Sequence, residues 1–189
     1  MKKKAISSTV GLILALCFAM AYAGEKAPQA VVDLANSALA KFGTDPIIVQ
    51  AVKAENAKGK TLDRIKEVDK KWMATPGVAD YMQALMDNEC GKHLRKIQQS
   101  APYYSEIFAM DNLGANVAMS DKTSDYWQGD EAKFIKSYNG GKGAVFVDEV
   151  KFDTSTQTYL VQVSIPVKDG DKVIGAITFG ISVDKFDKK

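Results

Sequence analysis

The chain has 189 residues, 46% of them hydrophobic and 25% charged, which is enough to enclose one core and gives no reason to expect two. The formal charge of +2 overstates the basic side, because Lys2, Lys3 and Lys4 belong to a removable segment; without these three the basic residues, 25 in all, drop to one fewer than the 23 acidic ones. A mature chain with that balance offers no clustered Lys and Arg for phosphate neutralisation, so nucleic acid is excluded as a partner.

The first 23 residues read as a secretory signal. Lys2-Lys3-Lys4 is followed by an apolar run from Val10 to Met20 and then by Ala21-Tyr22-Ala23, a small-residue cleavage site. A retained anchor is the competing reading, but the run is shorter than the ~20 residues a spanning helix needs. The mature protein is expected to begin at Gly24, to be periplasmic and to carry no stable membrane anchor. With Cys17 gone, Cys90 stands alone and no intrachain disulfide can form.

Helical spacing dominates residues 24–100. Val31, Leu34, Ala35, Ala38 and Leu39 predict a helix over Pro28 to Lys41, ended by Gly43. Asp45-Pro46 places a capping acid before a proline at the first helical position, and the helix runs to Gly59. Thr61 caps a third, with Leu62, Ile65, Val68 and Trp72 on one stripe before Pro76-Gly77. Val78 to Gln98 predicts a fourth and longest helix, on which Met82, Leu85, Met86, Cys90, His93, Leu94 and Ile97 share the apolar side. Cys90 is therefore expected to be buried. Cys90 and His93, one turn apart, are too few for a structural metal site, which takes about four ligands, and they lack the exposed electropositive setting of an activated thiol.

From Tyr103 the period becomes two, and residues 101–189 predict a sheet. Glu106 to Met110 and Asn116 to Ser120 form a hairpin about Asp111-Asn112-Leu113-Gly114, with Asp111 a turn former. A polar segment, Asp121 to Gln128, leads into a short helix from Gly129 to Tyr138. Three strands follow, Ala144 to Phe152, Thr158 to Val167 and Val173 to Ser182, joined by short polar turns into an antiparallel meander. The almost continuously apolar Val173 to Ile181 predicts a central strand covered on both faces.

Two sets of residues are candidates for a binding site. If the turn after Val167 centres near Gly170, Gln162 stands opposite Thr178 and Ser164 opposite Ala176; if the preceding turn centres near Ser155, Asp148 stands opposite Gln162. The row Asp148, Gln162 and Thr178 then crosses three strands on one face, which either lines a pocket or meets water. Tyr126 and Trp127 are large aromatics in a polar loop; they either close over a ligand, with phenol and indole N–H as handles, or anchor the loop in the core. Tyr103 and Tyr104, after Pro102, are further candidates for the same cavity. No Walker, GxSxG, HExxH or CxxCH pattern occurs, no two carboxylates are paired by any sequence rule, and the expectation is a protein without catalysis, metal or cofactor.

The chain also resembles, over its whole mature length, the Cache family of extracellular PAS-like sensor domains (the PDC type). The pieces that carry the resemblance are Asp45-Pro46-Ile47-Ile48 with Ala54-Glu55-Asn56, Asp69-Lys70-Lys71-Trp72, Ile107-Phe108-Ala109-Met110-Asp111-Asn112, Thr123-Ser124-Asp125-Tyr126-Trp127-Gln128-Gly129-Asp130-Glu131, and Ile165-Pro166-Val167 with Val173-Ile174-Gly175-Ala176. It implies an α+β fold, a PAS-like antiparallel sheet with a helical N-terminal leader packed on one face, and a small-molecule pocket between sheet and loop on the other. It further implies a free-standing periplasmic sensor in signal transduction or chemotaxis, which binds a small organic ligand and acts through a separate membrane histidine kinase or chemoreceptor. Amino-acid-binding members typically place an arginine before the Trp-Tyr of the polar loop and an aspartate on the last strand. Here no arginine flanks Tyr126-Trp127, and Gly180 or its neighbours hold the last-strand position, so amino-acid specificity is not carried over. The competing function is an exported protein-interaction module with a vestigial pocket, which an exposed apolar patch on the helices would mark.

Overall fold

The computed structural model describes residues 24–153 and 157–187; the expected signal sequence and part of the turn at Ser155 lie outside them. Among the described residues five α-helices precede the sheet: α1 (Gln29–Leu34), α2 (Pro46–Asn56), α3 (Leu62–Ala74), α4 (Asp80–Asp87) and α5 (Glu89–Gln99). The hairpin β1 (Tyr104–Met110) and β2 (Asn116–Met119) follows, then α6 (Ala132–Tyr138), β3 (Phe146–Asp153), β4 (Thr158–Asp169), β5 (Lys172–Ser182) and a last turn of helix, α7 (Val183–Phe186). The strands form one antiparallel sheet in the order β2-β1-β5-β4-β3, the PAS-like arrangement, with β5 in the middle and buried on both faces.

The helix starts are set by local chemistry. Asp45 Oδ1 accepts the N–H groups of Ile47 and Ile48 at 3.0 and 3.2 Å, with Pro46 in the first turn, and Thr61 Oγ1 accepts Arg64 N–H at 3.3 Å. The first helix is shorter than its apolar spacing predicts; after Leu34 it widens to a π-helical turn (Ala35–Leu39) and tightens to a 3-10 turn (Ala40–Thr44). The long helix expected over Val78 to Gln98 is two helices. Asn88 breaks it with ψ 167°, and its side chain accepts Gly91 N–H at 2.7 Å and donates to the Val117 carbonyl at 3.0 Å. A Cβ at Gly91 would collide with the carbonyls of Leu85 and Met86, so the two helices meet this closely only over glycine.

One face of the sheet, with Ile107, Val163, Ile165, Ile177 and Phe179, packs on Val31 of α1, Leu39 of the π-helical turn that follows it, Ile48 and Val52 of α2 and Leu94 of α5. On the other face Phe108, Met110, Met119 and Ala176 meet Phe134 of α6, and the cluster extends past β2 to Ile65 and Trp72 of α3 and Met82 and Met86 of α4.

The strand register differs from the sequence expectation by two residues. Gln162 stands opposite Gly180 and Ser164 opposite Thr178. The turn centres between Gly170 and Asp171, where Asp169 pairs with Lys172, and a bulge between Val167 and Lys168 adds the second displacement. An even displacement keeps the face, so Gln162 and Thr178 still point to the side opposite the α1, α2 and α5 layer. Between Val147 and Val150 a second bulge sets Asp148 and Glu149 together against the single residue Gln162.

A half-buried cation ties the helices to the sheet and the loop. Lys60 Nζ lies 2.9 Å from Glu55, 3.2 Å from Asp111 and 2.8 Å from the Tyr126 hydroxyl. Burial alone would lower the Lys60 ammonium, but the bonds to Tyr126 and Glu55 and the charge of Asp111 overcome it and hold it above the ordinary lysine range. Asp111 turns the hairpin as well, its Oδ1 accepting the N–H groups of Leu113 and Ala115, both at 2.9 Å. Its side chain is 2% exposed, so Lys60→Met leaves a buried charge without its counter-ion. We expect a loss of about 3 kcal/mol, part of which the double variant Lys60→Met with Asp111→Asn regains. Urea midpoints of the four proteins measure both, and strictly additive losses would show that Lys60 and Asp111 act independently.

Candidate functional site

The loop between β2 and α6, residues 120–131, is strapped to α3. Asp69, nearly buried, accepts two consecutive backbone N–H groups on one oxygen, Tyr126 at 2.8 Å and Trp127 at 2.9 Å. The Trp72 indole N–H donates to the Thr123 carbonyl at 2.9 Å, and the Trp72 and Tyr126 rings pack with centroids 5.7 Å apart. The Trp127 indole N–H donates to the Leu113 carbonyl at 2.8 Å, and Lys66 Nζ sits 4.7 Å from its ring centre. Both aromatics therefore have partners in α3 and the hairpin turn.

Between this loop, α6 and the free face of β3 and β4 lies a cavity of about 400 Å³. Its walls are Ser124 from the loop, Glu131, Ala132 and Lys133 at the start of α6, Asp148, Glu149, Lys151, Phe152 and Asp153 from β3, and Leu160 and Gln162 from β4. A smaller space of about 120 Å³ shares Ser124, Lys133, Asp153 and Gln162 and adds Glu106, Phe108, Thr123 and Gln128, so it is the inner end of the same cavity.

The residues expected from the sequence divide between this cavity and other places. Asp148 and Gln162 line it together. Thr178 lies on the same face but is fully buried beneath it, its hydroxyl 2.8 Å from that of Ser164. Tyr126 and Trp127 belong to the loop that forms the wall, but Ser124 and Gln128 are what the loop turns toward the sheet, and neither aromatic is among the lining side chains. Tyr103 and Tyr104 pack on each other and on Phe186 and Phe179, with the α1, α2 and α5 layer. His93 is paired with Asp45 at 3.0 Å, and burial pushes the Cys90 thiol up to about 12.

Glu106, Lys133 and Gln128 went unnoticed in the sequence. Glu106 reaches the cavity because of Gly180. The two are opposite each other, and a Cβ at Gly180 would stand 2.6 Å from Glu106 Cγ, so the glutamate lies across β5 where the glycine makes room. Its Oε1 then accepts the Gln162 amide at 3.3 Å from the strand beyond. Lys133 is buried, with its ammonium 2.9 Å from Glu131 and 5.4 Å from the centre of the Phe108 ring. A signal for Glu106 was present in Tyr104-Ser105-Glu106-Ile107-Phe108: one acid in an apolar strand, paired with a glycine.

No protein-family model matches the sequence, and no curated protein matches it. Among solved structures the chain is similar to the sensory domain of the Campylobacter jejuni chemoreceptor Tlp3 with isoleucine bound, at 17% identity and a TM-score of 0.42, over 82% of this chain and 63% of that one. The ligand-binding domain of the same receptor in complex with 4-methylisoleucine gives 13% and 0.43, over 78% and 65%. The sensor domain of the V. cholerae histidine kinase DctB gives 12% and 0.40, over 85% and 59%. These are extracellular sensor domains of the Cache type. The chain spans less than two thirds of the length of each.

Burial raises the Glu106 carboxyl above the usual carboxylate range; Lys133 and the Gln162 bond pull it down, while Asp153 and Asp121 add to the rise. A carboxyl that holds its proton more tightly folded than unfolded gives stability that is complete below the unfolded value, about 4.3, and is lost as pH rises through the folded one. Glu106→Gln removes that loss. The variant is expected to be more stable than the parent at pH 7 and above, with the gain shrinking as pH falls toward 4. Thermal melts across that range measure it, and a variant less stable at pH 8 than the parent would contradict the burial of this charge.

Proposed function

We propose that this chain is an exported, non-catalytic sensor domain that binds a small organic solute in the cavity between loop and sheet and presents its bound state to a separate membrane histidine kinase or chemoreceptor. The observation that carries this reading is the cavity itself: about 400 Å³, open to a polar inner end, and lined by Gln162, Asp148 and Ser124 from three different segments. A size and lining of this kind suit a ligand fixed by a few oriented donors and acceptors. The loop forming one wall is held from behind by Asp69 and Trp72, which supports a preformed site. Cleavage after Ala23 in the periplasm belongs to the same proposal. A second reading, an interaction module, draws on a cleft of about 430 Å³ between α2 and the α4–α5 break, lined by Ile47, Ala51, Leu85 and Asn88.

In this proposal Gln162 and Asp148 touch the ligand, and Trp127 anchors the loop. The test is a thermal-shift screen of the mature domain against amines, carboxylates, purines and sugars. A solute present at a hundred times its Kd should add about 2.7 kcal/mol of stability. Gln162→Leu is expected to abolish that shift, whereas Trp127→Ala lowers the empty domain by about 3 kcal/mol and leaves the shift in place. A screen in which no class moves the melt, with one stoichiometric protein partner recovered instead, favours the interaction module.

A further inference from the structure

We infer that the solute taken by this cavity is a small organic cation with a primary ammonium group, seated at the inner end between the Glu106 carboxylate and Gln128 Oε1. The inference rests on the sensor reading above and names the class of ligand for that site.

The charges of the wall are unequal. Glu106, Glu131, Asp148, Glu149 and Asp153 face the cavity against Lys133 and Lys151. Both lysines are already paired: Lys133 with Glu131 at 2.9 Å, and Lys151 with Asp148 at 2.6 Å. An anionic ligand would have to break one of these pairs and lie beside the remaining acids. A cation meets them directly, and the enclosed inner end strengthens that attraction relative to water.

A second observation is independent of charge. Gln128 is 1% exposed and lines the inner end; its amide nitrogen is held at 2.9 Å by the Asp125 carbonyl, and its Oε1 has no hydrogen-bond partner in the protein. A buried acceptor without a donor is costly, so it marks a place where a donor belongs. The Glu106 carboxyl offers a second acceptor in the same small space, which its passage over Gly180 puts there. Two acceptors and an acidic surround call for an N–H donor with positive charge. A quaternary ammonium, which has no N–H, satisfies only the charge.

The test uses probes that share a four-carbon chain and differ in the polar group at its end: n-butylamine, butyrate and 1-butanol, with 1,4-diaminobutane and L-valine beside them, titrated calorimetrically into the whole mature domain at pH 7. The two amines are expected to bind at least about tenfold tighter than butyrate, butanol or valine, a charge-assisted hydrogen bond being worth that much. Glu106→Gln should weaken butylamine about ten- to a hundredfold while raising the melting temperature of the free domain, a pair of opposite effects that a purely structural residue does not give. Gln128→Leu should weaken butylamine as well, through a separate group. Butyrate, butanol or valine binding as tightly as the amines, with loss of binding in Gln162→Leu, overturns the cation and leaves the sensor reading standing. Amine binding unchanged in both Glu106→Gln and Gln128→Leu overturns the seat. Silence from all five probes overturns the inference, and silence of the wider screen overturns the sensor reading with it.

Discussion

One carboxylate oxygen holds the loop on which the cavity depends. Asp69 Oδ1 receives the N–H groups of Tyr126 and Trp127 in succession, at 2.8 and 2.9 Å, and thereby fixes the backbone of a segment that has no regular structure of its own. Trp72, three residues along the same helix, adds the bond to Thr123 and the ring beneath Tyr126. The spacing is what one helical turn provides, so α3 presents its acid and its indole to the loop from one side. With that side taken, Ser124 and Gln128 are left for the sheet, and the space between them and Gln162 becomes a walled cavity.

The sheet contributes an arrangement that costs stability. A glutamate that crosses a glycine to reach the middle of a sheet is poorly solvated, and its burial raises its affinity for a proton. Lys133 offsets part of that cost from α6, but its own ammonium is committed to Glu131. The core beneath is closed by comparison: Ser164 and Thr178 satisfy each other, and the flanking apolar residues of β5 are buried throughout. Glu106 and the unpartnered Gln128 Oε1 share the inner end of the cavity, while Ser105, Asn116 and Ser137 also hold a buried oxygen without a partner, on β1, β2 and α6.

Much of the fold was legible because its signals are local. Asp45-Pro46 and Thr61 act where the sequence puts them, the change of period near residue 101 separates helices from strands, and the apolar run of β5 marks the central strand. What escaped was non-local or masked. The break at Asn88 is invisible to periodicity because Met82, Met86, Cys90 and Leu94 stay in phase across it. The strand register slipped by two because the turn centres half a residue past Gly170 and a bulge at Val167 and Lys168 leaves no trace in the alternation. For the site, parity put the polar row crossing β4 on one face and left pocket or water open; the slip preserves that face, and the walls of loop and α6 are what make it the cavity side. Tyr126 and Trp127 drew notice as aromatics in polar surroundings, yet such rings are as well suited to tether a loop as to cover a ligand, and only Asp69 and Trp72, more than fifty residues away, decide which way they turn. Glu106 needed the pairing with Gly180, which belongs to the tertiary register.

Hydrogen–deuterium exchange on the mature domain, with and without whichever solute raises its melting temperature most, tests the central claim most directly. Binding in the cavity between loop and sheet should slow exchange in residues 123–138 and in β3, and leave α2 and the α4–α5 break unchanged. Protection confined to α2, α4 and α5, with the loop and β3 exchanging as before, would contradict it.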